Sequence, residues 1–88
     1  MEELAEASKL LERAKELSSE ERAALNFFLQ NISVGELRAL RELKREIPQP
    51  AQAIRKLLSL GLLEEGEGCY NLAKPLREYV MRKGRLRV

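Results

Sequence analysis

The stretch Ser33–Leu72, "SVGELRALRELKREIPQPAQAIRKLLSLGLLEEGEGCYNL", sets two helical patterns end to end and then passes through Leu-Gly-Leu-Leu into a short glycine-punctuated hairpin. Ser33-x-x-Glu36 has the form of a capping box, so the first helix is expected to open there. Leu37, Leu40, Leu43 and Ile47 occupy one sector of its wheel and are expected in the core. Arg38 and Arg45 point the other way, with Arg41 on the flank. Pro48 and Pro50 end this helix and open the next, at little cost, because the first turn of a helix leaves its N–H groups without intrahelical partners.

In "PQPAQAIRKLLSLG", Ile54, Leu57 and Leu58 form an i, i+3, i+4 core stripe, and Gly61 is placed to end the helix in a left-handed conformation. Gln49, Gln52, Lys56 and Ser59 project opposite Ile54 and Leu57, with Arg55 beside them. Leu62 and Leu63 leave as an extended segment, Glu65–Gly68 supplies the turn, and Cys69–Leu72 returns. Tyr70 and Leu72 alternate with the period of a strand, which lets one face of the hairpin lie on the helices.

Working outward, Ser18-x-x-Glu21 is a second capping box, ahead of Leu25, Phe28, Leu29 and Ile32 on one helix face. From Glu2 to Leu17, Leu4, Ala7, Leu11 and Ala14 recur at spacings of three and four, with Leu10 and Leu17 widening the stripe. That stripe can pack on its own domain or on a second copy. Because the rest of the chain already completes a core, dimerisation through it is the expectation. Downstream, Pro75 enters a last amphipathic helix carrying Leu76, Tyr79 and Val80, which ends before Gly84. The tail "RLRV" is basic, and Leu86 and Val88 would hold it only by finding a groove. The expected organisation is an N-terminal helix over 1–17, a core unit over 18–83 and a basic tail over 84–88.

With 88 residues the chain has the size of one small domain and buries only a modest fraction of its surface, so a partner would add useful apolar burial. The net charge of +2 is too small to identify a nucleic-acid binder, but its distribution is uneven. Residues 1–22 carry seven Glu against four Lys or Arg, and 36–63 carry three Glu against six Lys or Arg. Glu64, Glu65 and Glu67 follow, and from residue 74 to the end six basic residues face only Glu78. Two basic segments therefore flank an acidic loop.

Cys69 is the only cysteine and there is no histidine, which rules out an internal disulfide and argues against a Cys/His zinc site. No apolar run approaches the roughly 20 residues needed to cross a bilayer, and the Glu-rich start is unlike a secretory signal. A cytoplasmic protein is expected, and the abundance of Glu, Arg and Leu suits a heat-adapted source.

Gly35-Glu36-Leu37, Ile54-x-x-Leu57-x-x-x-Gly61-Leu62 and Tyr70-Asn71-Leu72 together resemble the winged helix-turn-helix transcription regulators of bacteria and archaea, over about Ser19 to Lys83. The resemblance implies a mainly α, α+β fold with a three-helix core, a short β-hairpin wing, and added N- and C-terminal helices. It also implies DNA contacts from the exposed face of the second motif helix. Gln49 and Gln52 could read adenine, while Arg55 and Lys56 suit guanine or phosphate. Arg38, Arg41 and Arg45 would touch phosphates, and Ser59 lies on the same face. Three departures stand out: Pro48 and Pro50 remove N–H donors, the wing is acidic where phosphates would repel it, and the wing is short.

The primary expectation is thus a homodimeric, sequence-specific binder of double-stranded DNA that regulates transcription, with Leu4, Ala7, Leu10, Leu11, Ala14 and Leu17 forming the dimer contact. The alternative is a winged-helix protein-interaction module within a larger assembly, since a fold does not settle a function. No cofactor or metal is implied. An enzyme is not expected: there is no histidine, no glycine-rich phosphate loop, and no base to activate Cys69.

Overall fold

Ser18 starts the first core helix through a reciprocal pair of hydrogen bonds: its hydroxyl accepts the Glu21 N–H at 3.2 Å while the Glu21 carboxylate accepts the Ser18 N–H at 3.0 Å. The structure is a computed structural model that describes the backbone of residues 2–84 and 86–88, and side chains from Ala5 onward. Met1, Arg85 and the side chain of Leu4 lie outside the described residues. In chain order the helices are α1 (Glu2–Arg13), α2 (Ser19–Gln30), α3 (Glu36–Leu43), α4 (Pro50–Ser59) and α5 (Lys74–Lys83). The strands are β1 (Ser33–Gly35), β2 (Leu63–Gly66) and β3 (Cys69–Leu72), and a 3-10 turn over Ala14–Glu16 follows α1. Among the described residues the fold is a small, mainly helical α+β arrangement of five helices and one three-stranded antiparallel sheet.

The core gathers where α2 and α4 meet the sheet and α5 packs against α2. Leu25, Phe28 and Leu29 of α2 are fully buried, as are Leu57 of α4, Leu72 of β3 and Leu76 of α5. Phe28 meets Tyr70 edge-to-face with ring centroids 6.2 Å apart, a geometry that sets the positive ring edge against the partner's π face. The buried set contains no polar or charged side chain among the described residues, so apolar burial and backbone pairing hold the core together.

α4 closes as its sequence requires. Gly61 adopts φ +76°, the Gly61 N–H reaches the Leu58 carbonyl at 3.1 Å, and the Leu62 N–H reaches the Leu57 carbonyl at 2.9 Å. These are the two bonds of a Schellman motif, and they satisfy carbonyls that the helix end would leave bare. The hairpin follows, with Leu63 opposite Leu72 and Gly66 opposite Cys69, so the strand runs two residues further than expected and takes in Glu65 and Gly66. Gly68 takes the turn at φ +67°.

Ser33–Gly35 departs from the expected capping box and forms β1 instead. It pairs antiparallel with β3, setting Val34 opposite Tyr70, and the Ser33 hydroxyl donates to Asn71 Oδ1 at 2.6 Å rather than to a helix terminus. Gly35 therefore occupies the cap position of α3 without a side-chain bond, and the Glu36 N–H is taken by the Gly68 carbonyl at 2.9 Å. This start rotates α3 so that Ala39 and Leu43 are fully buried while Leu37, expected in the core, stands 76% exposed. Ile47 is still buried, but it reaches the core from the loop after α3.

The N-terminal stripe is also spent inside the chain. α1 lies against α5, with Ala7 and Ala14 buried, Leu17 nearly so, and Leu10 and Leu11 half-buried against the same core. The Arg13 guanidinium then donates to the Leu60 carbonyl at 2.7 Å, joining α1 to the end of α4. The Cα radius of gyration of 12.0 Å is about that of a compact domain of this length, so α1 does not reach away as an arm.

The tail finds its groove. Val88 donates its N–H to Asn26 Oδ1 at 2.7 Å, and Asn26 Nδ2 donates to the Val88 carbonyl at 3.3 Å. Gln30 Nε2 donates to the Leu86 carbonyl at 3.2 Å, and the Leu86 and Val88 side chains pack on the core.

Candidate functional site

The α3–α4 face arises from two amphipathic helices with a tight corner between them. α3 ends at Leu43, the buried Ile47 pins the loop, and Lys44 Nζ donates to the Pro48 carbonyl at 3.2 Å. α4 starts at Pro50, which is itself buried, and inserts Ala53, Ile54 and Leu57. What remains outside is the polar side of both helices. Arg38, Arg41, Arg45, Gln49, Gln52, Arg55, Lys56 and Ser59 are all exposed.

Their partners differ. Arg38 Nε pairs with Glu42 Oε2 at 3.0 Å, an i,i+4 ion pair open to solvent, which contributes little to stability. The Ser59 hydroxyl turns back to the Lys56 carbonyl at 2.8 Å. Arg41, Arg45 and Lys56 take part in no ion pair among the described residues. The edge of the face toward the hairpin is electrically mixed. Burial pushes the Tyr70 hydroxyl above its ordinary pKa of 10.0, Glu36 and Glu65 push it further by repelling the phenolate, and Arg55 opposes them. Glu36 at the start of α3, Arg55 in α4 and Glu65 of the hairpin therefore each lie within electrostatic reach of Tyr70.

The acidic hairpin divides into two kinds of carboxylate. Glu64 caps α5, accepting the Lys74 N–H at 3.0 Å and the Arg77 guanidinium at 3.4 Å, whereas Glu65 and Glu67 stay exposed at the tip. Sequence reasoning grouped the three together because the register that aims Glu64 at α5 is set by tertiary packing. No group of three or more His, Cys, Asp or Glu able to hold a metal occurs among the described residues. An open groove of about 520 Å³ lies beside α2, lined in part by Leu17, Arg22, Phe27 and Arg87.

Leu37 was the residue misplaced by the sequence. Ala39 and Leu43, four apart, carry the true core stripe of α3, and that spacing was the signal available. Met81 on α5 is likewise 73% exposed. The stripe assigned to dimerisation contributes Ala7, Leu10, Leu11, Ala14 and Leu17 to the chain's own core instead, and the side chain of Leu4 is outside the described residues.

Fold and surface together define a small α+β domain that offers exposed helix faces around a dry core. The chain belongs to the PolB1 Binding Protein 2 family, whose model matches residues 18–78. That family is one of DNA-polymerase-binding domains. No curated protein matches the chain.

The family match overturns the resemblance to winged helix-turn-helix transcription regulators, and with it sequence-specific DNA reading, transcriptional control, and duplex DNA with a second copy as partners. The physical reason is plain. Hydrophobic period, capping and turn chemistry specify how helices and hairpin pack, and the same packing serves whatever meets the outer face. The roles given to Arg38, Arg41, Arg45, Gln49, Gln52, Arg55, Lys56 and Ser59 rested on a DNA partner, and that premise is withdrawn.

Proposed function

We propose that this chain is a non-catalytic accessory module that binds a DNA polymerase of the PolB1 type and works beside it inside the cell. The observation that carries this reading is the family match over residues 18–78, which spans α2 through β3 and the first part of α5. The element order of α2, β1, α3, α4, β2 and β3, with β3 central in the sheet, supports a winged-helix arrangement used as an interaction scaffold. Residues 18–83 form the functional unit on this reading, and α1 with the tail braces it.

The acidic hairpin favours a protein partner. Glu65 and Glu67 at its tip would be repelled by a phosphate backbone, but they are unremarkable at the rim of a protein interface. The test is direct. Purified chain and PolB1 are mixed and run over a sizing column, and co-elution at a fixed ratio is expected, with the complex retained in the absence of DNA. Separate elution at micromolar concentrations would overturn the proposal.

A further inference from the structure

We infer that residues 86–88 are a releasable strap over a peptide-docking site on α2, and that the working occupant of this site is an extended segment of the polymerase partner carrying two apolar side chains two positions apart. The inference rests on the polymerase-binding reading above. It adds which surface is used, what the partner presents there, and what covers the surface beforehand.

The tail itself shows what the site takes. Asn26 accepts the Val88 N–H and donates to the Val88 carbonyl, while Gln30, one helical turn further along α2, donates to the Leu86 carbonyl. All of these bonds go to main-chain atoms of the tail, so they hold an occupant without regard to its side chains. Choice is left to the apolar contacts. Leu86 and Val88 both pack on the core, and their separation by two residues is the period of an extended chain.

The tail fills this site incompletely. Asn26 and Gln30 also line the open groove of about 520 Å³ beside α2, together with Leu17, Ala23 and Phe27, so the docking surface continues past the tail over apolar side chains. Arg22 lines that groove and also the recess against Val88, and its buried Nε has no hydrogen-bond partner. An unpaired buried donor is costly, and an occupant that brings an acceptor to it is favoured over the tail. A main-chain carbonyl suits that place better than a carboxylate, because Glu46 lines the same groove. A longer segment can thus make the contacts of the tail and add those of the groove, whereas the tail holds on through a few amide bonds and two half-buried side chains.

The family match divides the same way. It contains Arg22, Asn26 and Gln30 and ends at residue 78, short of the strap. A site that serves polymerase binding belongs inside the match, and its cover need not. Covering the site lowers the apparent affinity by the fraction of chains in which it is open.

Two full-length variants release the tail from opposite sides. The pair Leu86→Gly and Val88→Gly loosens the strap and keeps the site, while the pair Asn26→Ala and Gln30→Ala removes the site. Both should deprive the Val88 backbone of its hold equally, and thermal melts check that each remains folded. Affinity for PolB1, measured by calorimetry, separates them. The loosened strap should bind at least about threefold more tightly than wild type, and the altered site at least about tenfold more weakly. A tail that only braces the fold would move both in the same direction. The synthetic peptide Gly-Arg-Leu-Arg-Val, the sequence of residues 84–88, titrated into the loosened-strap variant should shift the Asn26 and Gln30 side-chain amide signals saturably and compete with PolB1.

Unchanged or weaker binding by the loosened-strap variant, or undiminished binding by the altered site, overturns the strap while leaving polymerase binding intact. Absence of peptide-induced shifts overturns it without recourse to the polymerase. Dimers formed by exchange of tails between two copies would give the site a different occupant and also sink the inference. Failure of both the wild-type chain and the loosened-strap variant to bind PolB1 overturns both readings.

Discussion

Asn26 and Val88 hold each other by a reciprocal pair of hydrogen bonds, 2.7 Å from the Val88 N–H to Oδ1 and 3.3 Å from Nδ2 to the Val88 carbonyl. One side-chain amide thus satisfies the donor and the acceptor of a single residue, as a strand neighbour would. The bonds are half-buried, where a net contribution of about 0.5–1.5 kcal/mol each is usual.

Asn26→Ala should therefore cost about 1–2 kcal/mol and lower Tm by about 4–8 °C per kcal/mol. Asn26→Asp keeps the acceptor for the Val88 N–H but turns a carboxylate oxygen toward the Val88 carbonyl, so it should not restore the stability. Amide exchange read by NMR gives the local check: the Val88 N–H should lose protection in Asn26→Ala. Equal exchange in both proteins would mean that packing of Leu86 and Val88, and not the amide pair, holds the tail.

A second prediction concerns Gly61 and Arg13. Gly61 sits at φ +76°, and a Cβ there would lie 3.3 Å from Arg13 Nη1, the atom that donates to the Leu60 carbonyl. Gly61→Ala should cost about 1–2 kcal/mol from the left-handed backbone alone, with crowding of the guanidinium adding to it. In a double-mutant cycle with Arg13→Ala the crowding vanishes in the double variant, so the two losses should sum to more than the measured total. Strict additivity in urea titrations would show that Arg13 swings aside freely.

The fold was legible where its signals are local. The Ser18 capping box, the Gly61 terminus and the Tyr70–Leu72 alternation each depend on residues within a few positions, and each appears where expected. β1 was missed because Ser33-Val34-Gly35 gains its strand character only from β3, far along the chain, while its sequence imitates a helix cap. That single miss also misplaced Leu37. An amphipathic stripe likewise announces that something covers it without naming the cover, so the burial of Ala7, Ala14 and Leu17 within the same chain could not be distinguished from a dimer contact. The polar face of α3 and α4 was readable as exposed, but its partner was not, since Gln, Arg and Lys suit carboxylate and phosphate alike.

Glu64 supports a third prediction. Its carboxylate accepts the Lys74 N–H at the start of α5 and also meets Arg77, so it combines an N-terminal cap with a partly exposed ion pair. Capping side chains contribute about 1 kcal/mol, and the ion pair adds a few tenths at most in this setting. Glu64→Ala should lower stability by about 1 kcal/mol, whereas Glu64→Gln, which keeps an acceptor for the N–H, should lose about half as much. The same substitutions at Glu67, on the exposed turn, should leave Tm unchanged. Chemical denaturation of the four variants checks the contrast, and equal effects at both positions would remove the capping role.

The last prediction follows from Tyr70. Burial, reinforced by Glu36 and Glu65 and opposed by Arg55, raises its folded-state pKa above the ordinary 10.0. Between the unfolded and folded values the unfolded chain has released the phenolic proton while the folded chain retains it. The unfolded state then binds fewer protons, and stability falls with rising pH. The contribution of Tyr70 is thus fully present below about pH 10 and is lost as pH climbs through the folded-state value. Tyr70→Phe removes the titration while keeping the ring against Phe28, so its urea midpoint should fall less steeply than the wild type's on the alkaline side. Arg55→Ala, which removes the opposing charge, should steepen the wild-type fall. Parallel curves for all three proteins would place the alkaline sensitivity of this fold elsewhere.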